Sequence, residues 1–271
     1  MPEPRIRPDA PLLRVRGLRK VYPTRRAFGR GEDVIAVDGV DLDVMPGRTM
    51  GLVGASGSGK STIGRCVLRL IEPTDGSIEL GGVDVRALAR EDLRRFRRHM
   101  QIVFQDPYSS LNPRLTIGDA LEEPLRVHRI GDRDSRRQRV RELLEMVGLR
   151  PSHADRYPHE FSGGQRQRIG IARALALRPR LVIADEPVSA LDVSVQAQVL
   201  NLLAELQREL GLSMLFIAHD LAVVEHVSEE IVVLDAGRVV ETGPAARLIA
   251  APTHEVTRRL RDAVPEASES P

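Results

Sequence analysis

The chain has 271 residues, of which 42% are hydrophobic and 29% charged, and this balance is typical of a folded globular protein rather than a disordered one. Its net charge of +2 argues against a general nucleic-acid binder. One cysteine, Cys66, excludes a disulfide framework or a multi-cysteine metal cluster within the chain, and we predict that it is buried on a helix. No apolar run is long enough to cross a bilayer, and the first residues lack the apolar core of a signal peptide, so we expect a cytoplasmic protein.

Taken in chain order, the hydrophobic pattern predicts a loose arm at residues 1–11 and then alternating strands and helices. The predicted strands are 12–18, 34–44, 49–53, 77–80, 100–104, 181–184, 213–218 and 231–234. The predicted helices are 61–70, 116–127, 135–147, 162–177 and 194–210. Such alternation indicates a mostly parallel sheet covered by helices on both faces. The helical, polar block at 106–160 indicates an inserted subdomain, and the acidic tail at 262–271 is expected to fray.

A glycine-rich loop follows the predicted strand at 49–53 and opens a helix. The loop and the first helical residues are Gly54, Ala55, Ser56, Gly57, Ser58, Gly59, Lys60, Ser61 and Thr62. This order satisfies the G-x-x-x-x-G-K-[ST] pattern in the strand–loop–helix setting that the pattern requires. Glycines allow backbone N–H groups to turn inward at phosphate oxygens, and the helix N-terminus adds a positive partial charge. We therefore predict that Lys60 contacts the β- and γ-phosphates of ATP and that the Ser61 hydroxyl ligates Mg²⁺.

Two acidic residues follow the apolar strand at 181–184. Asp185 lies at the carboxyl end of that strand, where open α/β sheets place their ligands, and is predicted to hold the metal. Glu186 comes next and is predicted to orient or deprotonate the attacking water. Taken alone, the pattern also fits a strand end with two solvated acids, and its combination with the phosphate loop favours the catalytic interpretation.

A second glycine-containing helix start follows Phe161. The sequence Ser162, Gly163, Gly164, Gln165 resembles the signature of ABC ATPases. Two glycines expose backbone N–H groups at a helix N-terminus, which makes a second anion site. In that family the signature closes on the γ-phosphate held by the opposite subunit. The resemblance implies an α/β fold: an ABC-type P-loop ATPase core with a mostly parallel sheet, an N-terminal antiparallel β region and an inserted α-helical subdomain.

The resemblance also assigns roles to four further residues. Tyr22 resembles the aromatic that stacks on adenine, and Gln105 resembles the glutamine that senses Mg²⁺ and water and contacts the transmembrane subunit. Asp192 resembles the aspartate of the loop that links the two sites across a dimer, and His219 resembles the switch histidine at the γ-phosphate. The implied catalytic residues are Lys60, Glu186 and His219, and the implied metal ligands are Ser61, Gln105 and Asp185.

Two longer stretches, 104–114 and 157–173, are similar to the oligopeptide, dipeptide and nickel importers, and the loop after Tyr22 resembles the second, F-type ATPase of such systems. This implies an ATP-hydrolysing subunit at the cytoplasmic face of the membrane that drives uptake of peptides or a related small solute. The implied partners are two transmembrane permease subunits and a second ATPase subunit, for which a paralogue is favoured over a copy. An extracytoplasmic solute-binding protein would act only indirectly.

The same resemblance predicts one ABC ATPase domain over residues 1–271. Its P-loop core is expected at 12–105 and 166–250. The helical signature subdomain is expected at about 106–165, and a C-terminal tail at 251–271.

Two alternatives remain open. One is a soluble ABC ATPase of DNA repair or translation, but the separation of Lys60 from Ser162 is too short for the long inserts of the repair proteins, and the chain has a single cassette. The other is an importer of nickel or another non-peptide solute. The basic cluster 94–98 could suggest nucleic acid, but a solvated helix face is favoured, and no nucleic-acid partner is expected.

Overall fold

The computed structural model of the chain describes residues 3–23, 33–106 and 111–263. These residues form ten strands and nine α-helices. The strands are β1 (Leu13–Tyr22), β2 (Val34–Val44), β3 (Thr49–Gly54), β4 (Asp75–Leu80), β5 (Val83–Asp84), β6 (Met100–Val103), β7 (Leu181–Asp185), β8 (Ser213–Ala218), β9 (Glu230–Asp235) and β10 (Arg238–Pro244). The helices are α1 (Lys60–Val67), α2 (Arg90–Phe96), α3 (Ile117–Val127), α4 (Arg133–Met146), α5 (Gly163–Leu175), α6 (Val193–Leu210), α7 (Leu221–Val227), α8 (Ala245–Ala250) and α9 (Glu255–Asp262).

The described residues fall into two compact units. The P-loop unit consists of residues 3–88 and 213–263, and the signature unit consists of residues 89–212. The predicted division of one ABC ATPase domain into a core and a helical subdomain at about 106–165 stays a prediction. Most of the predicted tail at 262–271 lies outside the described residues, as do part of the importer-like stretch 104–114 and most of the loop after Tyr22.

An antiparallel sheet in the P-loop unit has the strand order β2-β1-β4-β5. Strand β1 is central because its inward-facing residues, including Leu13 and Val15, are fully buried against both neighbours. Leu13 pairs with Val44 on one side and with Leu80 on the other. This sheet is the N-terminal antiparallel β region that the family resemblance implies.

The second sheet of the P-loop unit contains β10, β9, β3 and β8 in that order. Strand β3 runs parallel to β8 and to β9, and all residues of β3 and β8 are buried, as their apolar sequences require of strands covered on both faces. Val53 pairs with Ala218 and with Val233, so the three carboxyl ends lie at one edge. The glycine-rich loop and His219 therefore leave the sheet at the same edge.

In the signature unit, β6 and β7 pair in parallel, with Val103 opposite Ala184. Strand β7 is buried along its whole length, as its four apolar residues predict. Helix α5 packs on β6 and on α6, and it also contacts α3 and α4. The parallel register brings the carboxyl ends of β6 and β7 to one edge, where Gln105 follows β6 and Asp185 ends β7.

The prediction of a loose arm at residues 1–11 is wrong for its middle part. Pro4 is buried, and the Arg5 amide donates a hydrogen bond of 3.0 Å to the Gly81 carbonyl. The arm covers the turn between β4 and β5, where Gly81 adopts a left-handed conformation with φ +57°. The prediction for Cys66 is confirmed, because the residue is fully buried on α1.

A buried carboxylate anchors the C-terminal helix α9 to β10. Both Glu241 oxygens accept hydrogen bonds, from the amide and hydroxyl of Thr253 at 3.0 and 2.7 Å and from the His254 amide at 3.0 Å. Burial acts to raise the pKa of Glu241, and the donors gathered around it, which include the Thr253 amide and hydroxyl and the His254 amide, outweigh burial and lower that pKa to about 2.

We predict that Glu241 makes the stability of the chain sensitive to acid. Since its pKa falls from an ordinary 4.5 to about 2 on folding, its contribution is present above about pH 4.5 and is lost as pH falls toward 2. About 1 kcal/mol is lost by about pH 3.5. Urea unfolding at pH 7 and near pH 3.5 should show a smaller acid loss in Glu241→Gln than in the wild type. An equal loss in the two proteins would contradict the assignment.

Candidate nucleotide-binding site

The glycine-rich loop in the P-loop unit bends the chain from β3 directly into α1. Lys60 is the first residue of α1, and although its side chain is buried, its ammonium reaches back over the loop. The Lys60 Nζ donates hydrogen bonds of 2.7 Å to the Gly54 carbonyl and 2.9 Å to the Ala55 carbonyl. The ammonium is thus held at the mouth of the loop, where it can pair with a phosphate oxygen.

Two glycines are required by the packing of this loop. Gly59 precedes α1 in a left-handed conformation with φ +103°, and a Cβ there would lie 2.3 Å from the Ala36 carbonyl oxygen of β2. A Cβ on Gly54 would lie 2.3 Å from the Leu234 carbonyl oxygen. Gly59 has no side chain and supplies no side-chain cap to α1, whose N-terminal end, with its positive partial charge, directly follows the loop. The loop therefore fits the phosphate group of a nucleotide.

Two other predicted residues lie in the P-loop unit. His219 follows β8, is exposed, and leaves the sheet at the edge that carries the glycine-rich loop. Asp220 then caps α7 by accepting a hydrogen bond of 2.8 Å from the Ala222 amide. Tyr22 ends β1 with 36% of its surface exposed, and the Lys20 ammonium lies 4.9 Å from the centre of its ring. The ring of Tyr22 is therefore accessible for stacking.

Three predicted residues meet in the signature unit. Asp185 is buried at the end of β7, and the next residue, Glu186, accepts a hydrogen bond of 3.2 Å from the Gln105 side-chain amide. Glu186 has a left-handed backbone with φ +47°, which is strained for a residue with a Cβ. The amide and hydroxyl of Ser189 hold this turn by donating to the Glu186 carbonyl at 3.3 and 3.1 Å. Backbone strain that the surrounding structure holds in place clusters at functional sites.

The predicted signature residues form the start of α5. Ser162 is the N-cap: its hydroxyl accepts from the Gln165 amide at 3.3 Å, and the Gln165 side chain accepts from the Ser162 amide at 3.1 Å. This capping box leaves Gly163 and Gly164 in the first helical turn, whose N–H groups have no acceptor within the helix. Ser162 is exposed, so the helix start can meet an anion from outside the chain.

Asp192 caps helix α6. Its carboxylate accepts hydrogen bonds from the Val195 amide at 3.0 Å and the Ser194 hydroxyl at 2.9 Å. These bonds, the backbone one first, lower the pKa of Asp192. Asp192 thus stabilises the start of α6 within this chain, and its predicted role across a dimer stays a prediction.

Two supporting residues were missed by the sequence reasoning. Gln167 is almost fully buried on α5 and donates a hydrogen bond of 3.3 Å to the Phe104 carbonyl, next to Gln105. Arg156 lies over the ring of Phe161 at 4.8 Å and pairs with Glu160 at 3.1 Å just before the signature. A polar residue on the buried face of a predicted helix was the available signal for Gln167.

The residue types also fit a divalent cation. Ser61, Gln105 and Asp185 offer hydroxyl, amide and carboxylate oxygens, the hard ligands that Mg²⁺ prefers, and Asp185 supplies a buried negative charge. Among the described residues, no three His, Cys, Asp or Glu side chains cluster as a metal site. The assignment of these three residues to Mg²⁺ stays a prediction.

These features define an α/β nucleotide-binding protein of the P-loop class. Comparison with known proteins agrees: the ABC transporter family model matches residues 37–189. A putative peptide import ATP-binding protein of Brucella ovis is 55% identical over 257 residues, covering 95% of this chain and 80% of the relative. The glutathione import ATP-binding protein GsiA of Salmonella paratyphi A is 53% identical over 96% of this chain, which spans 42% of that relative.

Solved structures give the same result. The ATP-binding cassette MJ0796, in a dimeric post-hydrolysis state bound to ADP and Pi, matches with a TM-score of 0.76 and 32% identity, covering 86% of this chain and 98% of that one. The cbiO1 cassette of Clostridium perfringens matches with a TM-score of 0.77 and 26% identity, covering 95% and 97%. The chain belongs to the ABC transporter family. The predicted family, fold class and ATPase class are confirmed.

We predict that the close approach of α5 to α6 requires a glycine at 164. A Cβ on Gly164 would lie 2.3 Å from Val195 Cγ1, and such overpacking costs about 1–3 kcal/mol, more than the roughly 1 kcal/mol of helix propensity that alanine adds. Gly164→Ala should therefore lower the midpoint of urea unfolding. In a Val195→Ala background the same substitution should leave the midpoint unchanged or raise it. Equal losses in both backgrounds would contradict this contact.

Proposed function

We propose that the chain is the ATP-hydrolysing subunit of an importer for peptides or closely related small solutes. The observation that carries the ATP-hydrolysing part of this proposal is the loop before α1, where packing requires Gly54 and Gly59 and the buried Lys60 reaches back over the backbone. The identity of 55% with a putative peptide import ATP-binding protein over nearly the whole chain supports the solute class. The glutathione import relatives favour the same class, since glutathione is itself a small peptide.

In this proposal the phosphates of ATP lie against residues 54–62, with Lys60 paired to the β- and γ-phosphates and the adenine on Tyr22. When bound, Mg²⁺ would neutralise phosphate charge, and its proposed ligands are Ser61, Gln105 and Asp185. Glu186 accepts the proton of the attacking water, and His219 contacts the γ-phosphate. The hydrogen bond from Gln105 to Glu186 supports this role, because it fixes the carboxylate beside a proposed metal ligand.

We further propose that residues 162–165 serve a nucleotide held by a second ATPase subunit, with Asp192 at the junction. The exposed, glycine-containing start of α5 supports this arrangement, and a head-to-tail dimer has the symmetry that it needs. The cassette structure that matches this chain is itself described as dimeric. The proposed second subunit is a paralogue rather than a copy.

An importer also needs subunits that cross the membrane and a protein that delivers the solute. Within the described part of the chain, no helix is both long and apolar enough to cross a bilayer. We propose that two permease subunits supply the membrane path and that the chain binds them at the cytoplasmic face. A solute-binding protein would deliver the peptide on the other side. Uptake of labelled dipeptides and of labelled glutathione, with and without this chain, tests the solute class, and ATP-dependent uptake of neither would contradict it.

Lys60→Ala should abolish hydrolysis. Removal of a preorganised charge at a phosphoryl-transfer site costs on the order of 10²–10³ in rate. Steady-state release of phosphate by the assembled complex is the measurement, and Arg65→Ala, an exposed position on the same helix, is the matched control. Near-normal turnover of ATP by Lys60→Ala would contradict the assignment of the phosphate site.

Glu186→Gln should separate binding from chemistry. Glutamine keeps the size and polarity of the side chain but cannot accept the proton of water, so ATP should bind normally while turnover collapses. Bound nucleotide and ATP-dependent dimer are measured by gel filtration with light scattering, and the exposed Glu205→Gln on α6 is the control. Full activity of Glu186→Gln would show that another group, with His219 the next candidate, acts as the base.

A further inference from the structure

A cavity of about 290 Å³ lies in the signature unit, away from every residue assigned to nucleotide. Its wall is formed by the end of α3 and the following turn, by the first half of α4 and by the three residues that follow α5. Its apolar wall is formed by Leu125, Ile130 and Leu177. Three arginines also line it, namely Arg136, Arg139 and Arg178. No lining residue is acidic.

The positive charge in this cavity is only partly balanced by the chain. Arg136 is satisfied: it donates to the Ile130 and Gly131 carbonyls at 2.8 and 2.9 Å and has Glu122 at 3.8 Å. Arg178 makes no ion pair with any described residue. Its backbone is left-handed, with φ +52°, and its amide donates to the Leu175 carbonyl at 3.0 Å. Arg178 thus adds a third positive charge to the cavity wall, beside Arg136 and Arg139.

Arg139 is the one arginine of the three with a buried nitrogen that lacks a hydrogen-bond partner among the described residues. One terminal nitrogen donates to the Leu175 carbonyl at 3.0 Å, and the other lies 3.4 Å from the Glu142 carboxylate. Its Nε is buried with no hydrogen-bond partner among the described residues. Burial, and then the nearby Arg178, lower the pKa of Arg139, while Glu142 opposes them only in part. A buried, incompletely paired cation is costly unless an anion compensates it.

We propose that this cavity binds a small organic anion, a carboxylate or phosphate ester carried by a short apolar group. The anionic group lies between Arg139 and Arg178, where it supplies the missing counter-charge, and the apolar group covers Leu125, Ile130 and Leu177. A volume of about 290 Å³ is at the lower limit for ligand pockets, which restricts the occupant to a small molecule. The bound anion bridges α4 to the C-terminal end of α5, the helix that begins with the signature.

Hexanoate is a suitable probe, with hexanamide as the neutral match and acetate as the head group alone. Isothermal titration calorimetry on the full chain saturated with ADP keeps the anions from the phosphate loop. Hexanoate should bind with a Kd on the order of 1 mM, and hexanamide and acetate should each bind at least about tenfold more weakly. Hexyl phosphate in the same experiment decides which head group the cavity prefers.

Arg178→Gln tests the site without disturbing the core, because Arg178 is exposed. It should weaken hexanoate binding about tenfold, while the exposed Arg137→Gln on the same unit should leave it unchanged. Thermal unfolding of both variants shows whether they remain folded. Three results would overturn the proposal: no binding of hexanoate to the wild type, equal binding of hexanoate and hexanamide, or equal affinity in the wild type and Arg178→Gln.

Discussion

At Gly59 the backbone is left-handed, with φ +103°, and it enters α1 with no side-chain cap from Gly59. The proposed binding of nucleotide by this chain depends on that conformation. A residue with a Cβ would meet the Ala36 carbonyl at 2.3 Å, so the neighbouring strand enforces glycine. A helix N-terminus that directly follows a glycine-rich loop suits a phosphate group, because it carries a positive partial charge. Lys60 follows immediately, and the geometry of the turn brings its ammonium back over the loop.

The N-terminus of the signature helix α5 differs from that of α1. It carries a capping box, in which Ser162 and Gln165 exchange hydrogen bonds and Gly163 and Gly164 are left in the first turn. Gly164 lets α5 approach α6 closely, and Arg156 and Glu160 fix the preceding turn. The signature helix has side-chain caps of its own, whereas Gly59 gives the P-loop helix none. That difference is consistent with the proposal that the signature helix meets a nucleotide only in a dimer.

Much of this was predictable from the sequence, because it rests on local patterns. The strands β2, β3 and β8 and the helices α3, α4 and α6 were placed within a few residues, since apolar periodicity and the glycine-rich loop marked them. The helix α9 and the strand β10 were missed because both are short, and Glu241 and Thr253 stabilise them by a polar contact that the sequence pattern does not reveal. The left-handed turn at Glu186 and the burial of Gln167 likewise follow from tertiary packing.

The most direct test of this account is hydrogen exchange of the single chain with and without ATP and Mg²⁺. The account predicts that ATP slows exchange of the amides at 57–62, because phosphate oxygens accept from them. It also predicts no change at 162–165 until a second ATPase subunit is added, when those amides should slow as well. Protection at 162–165 in the isolated chain, with 57–62 unchanged, would contradict the claim that each chain holds phosphate through its own glycine-rich loop.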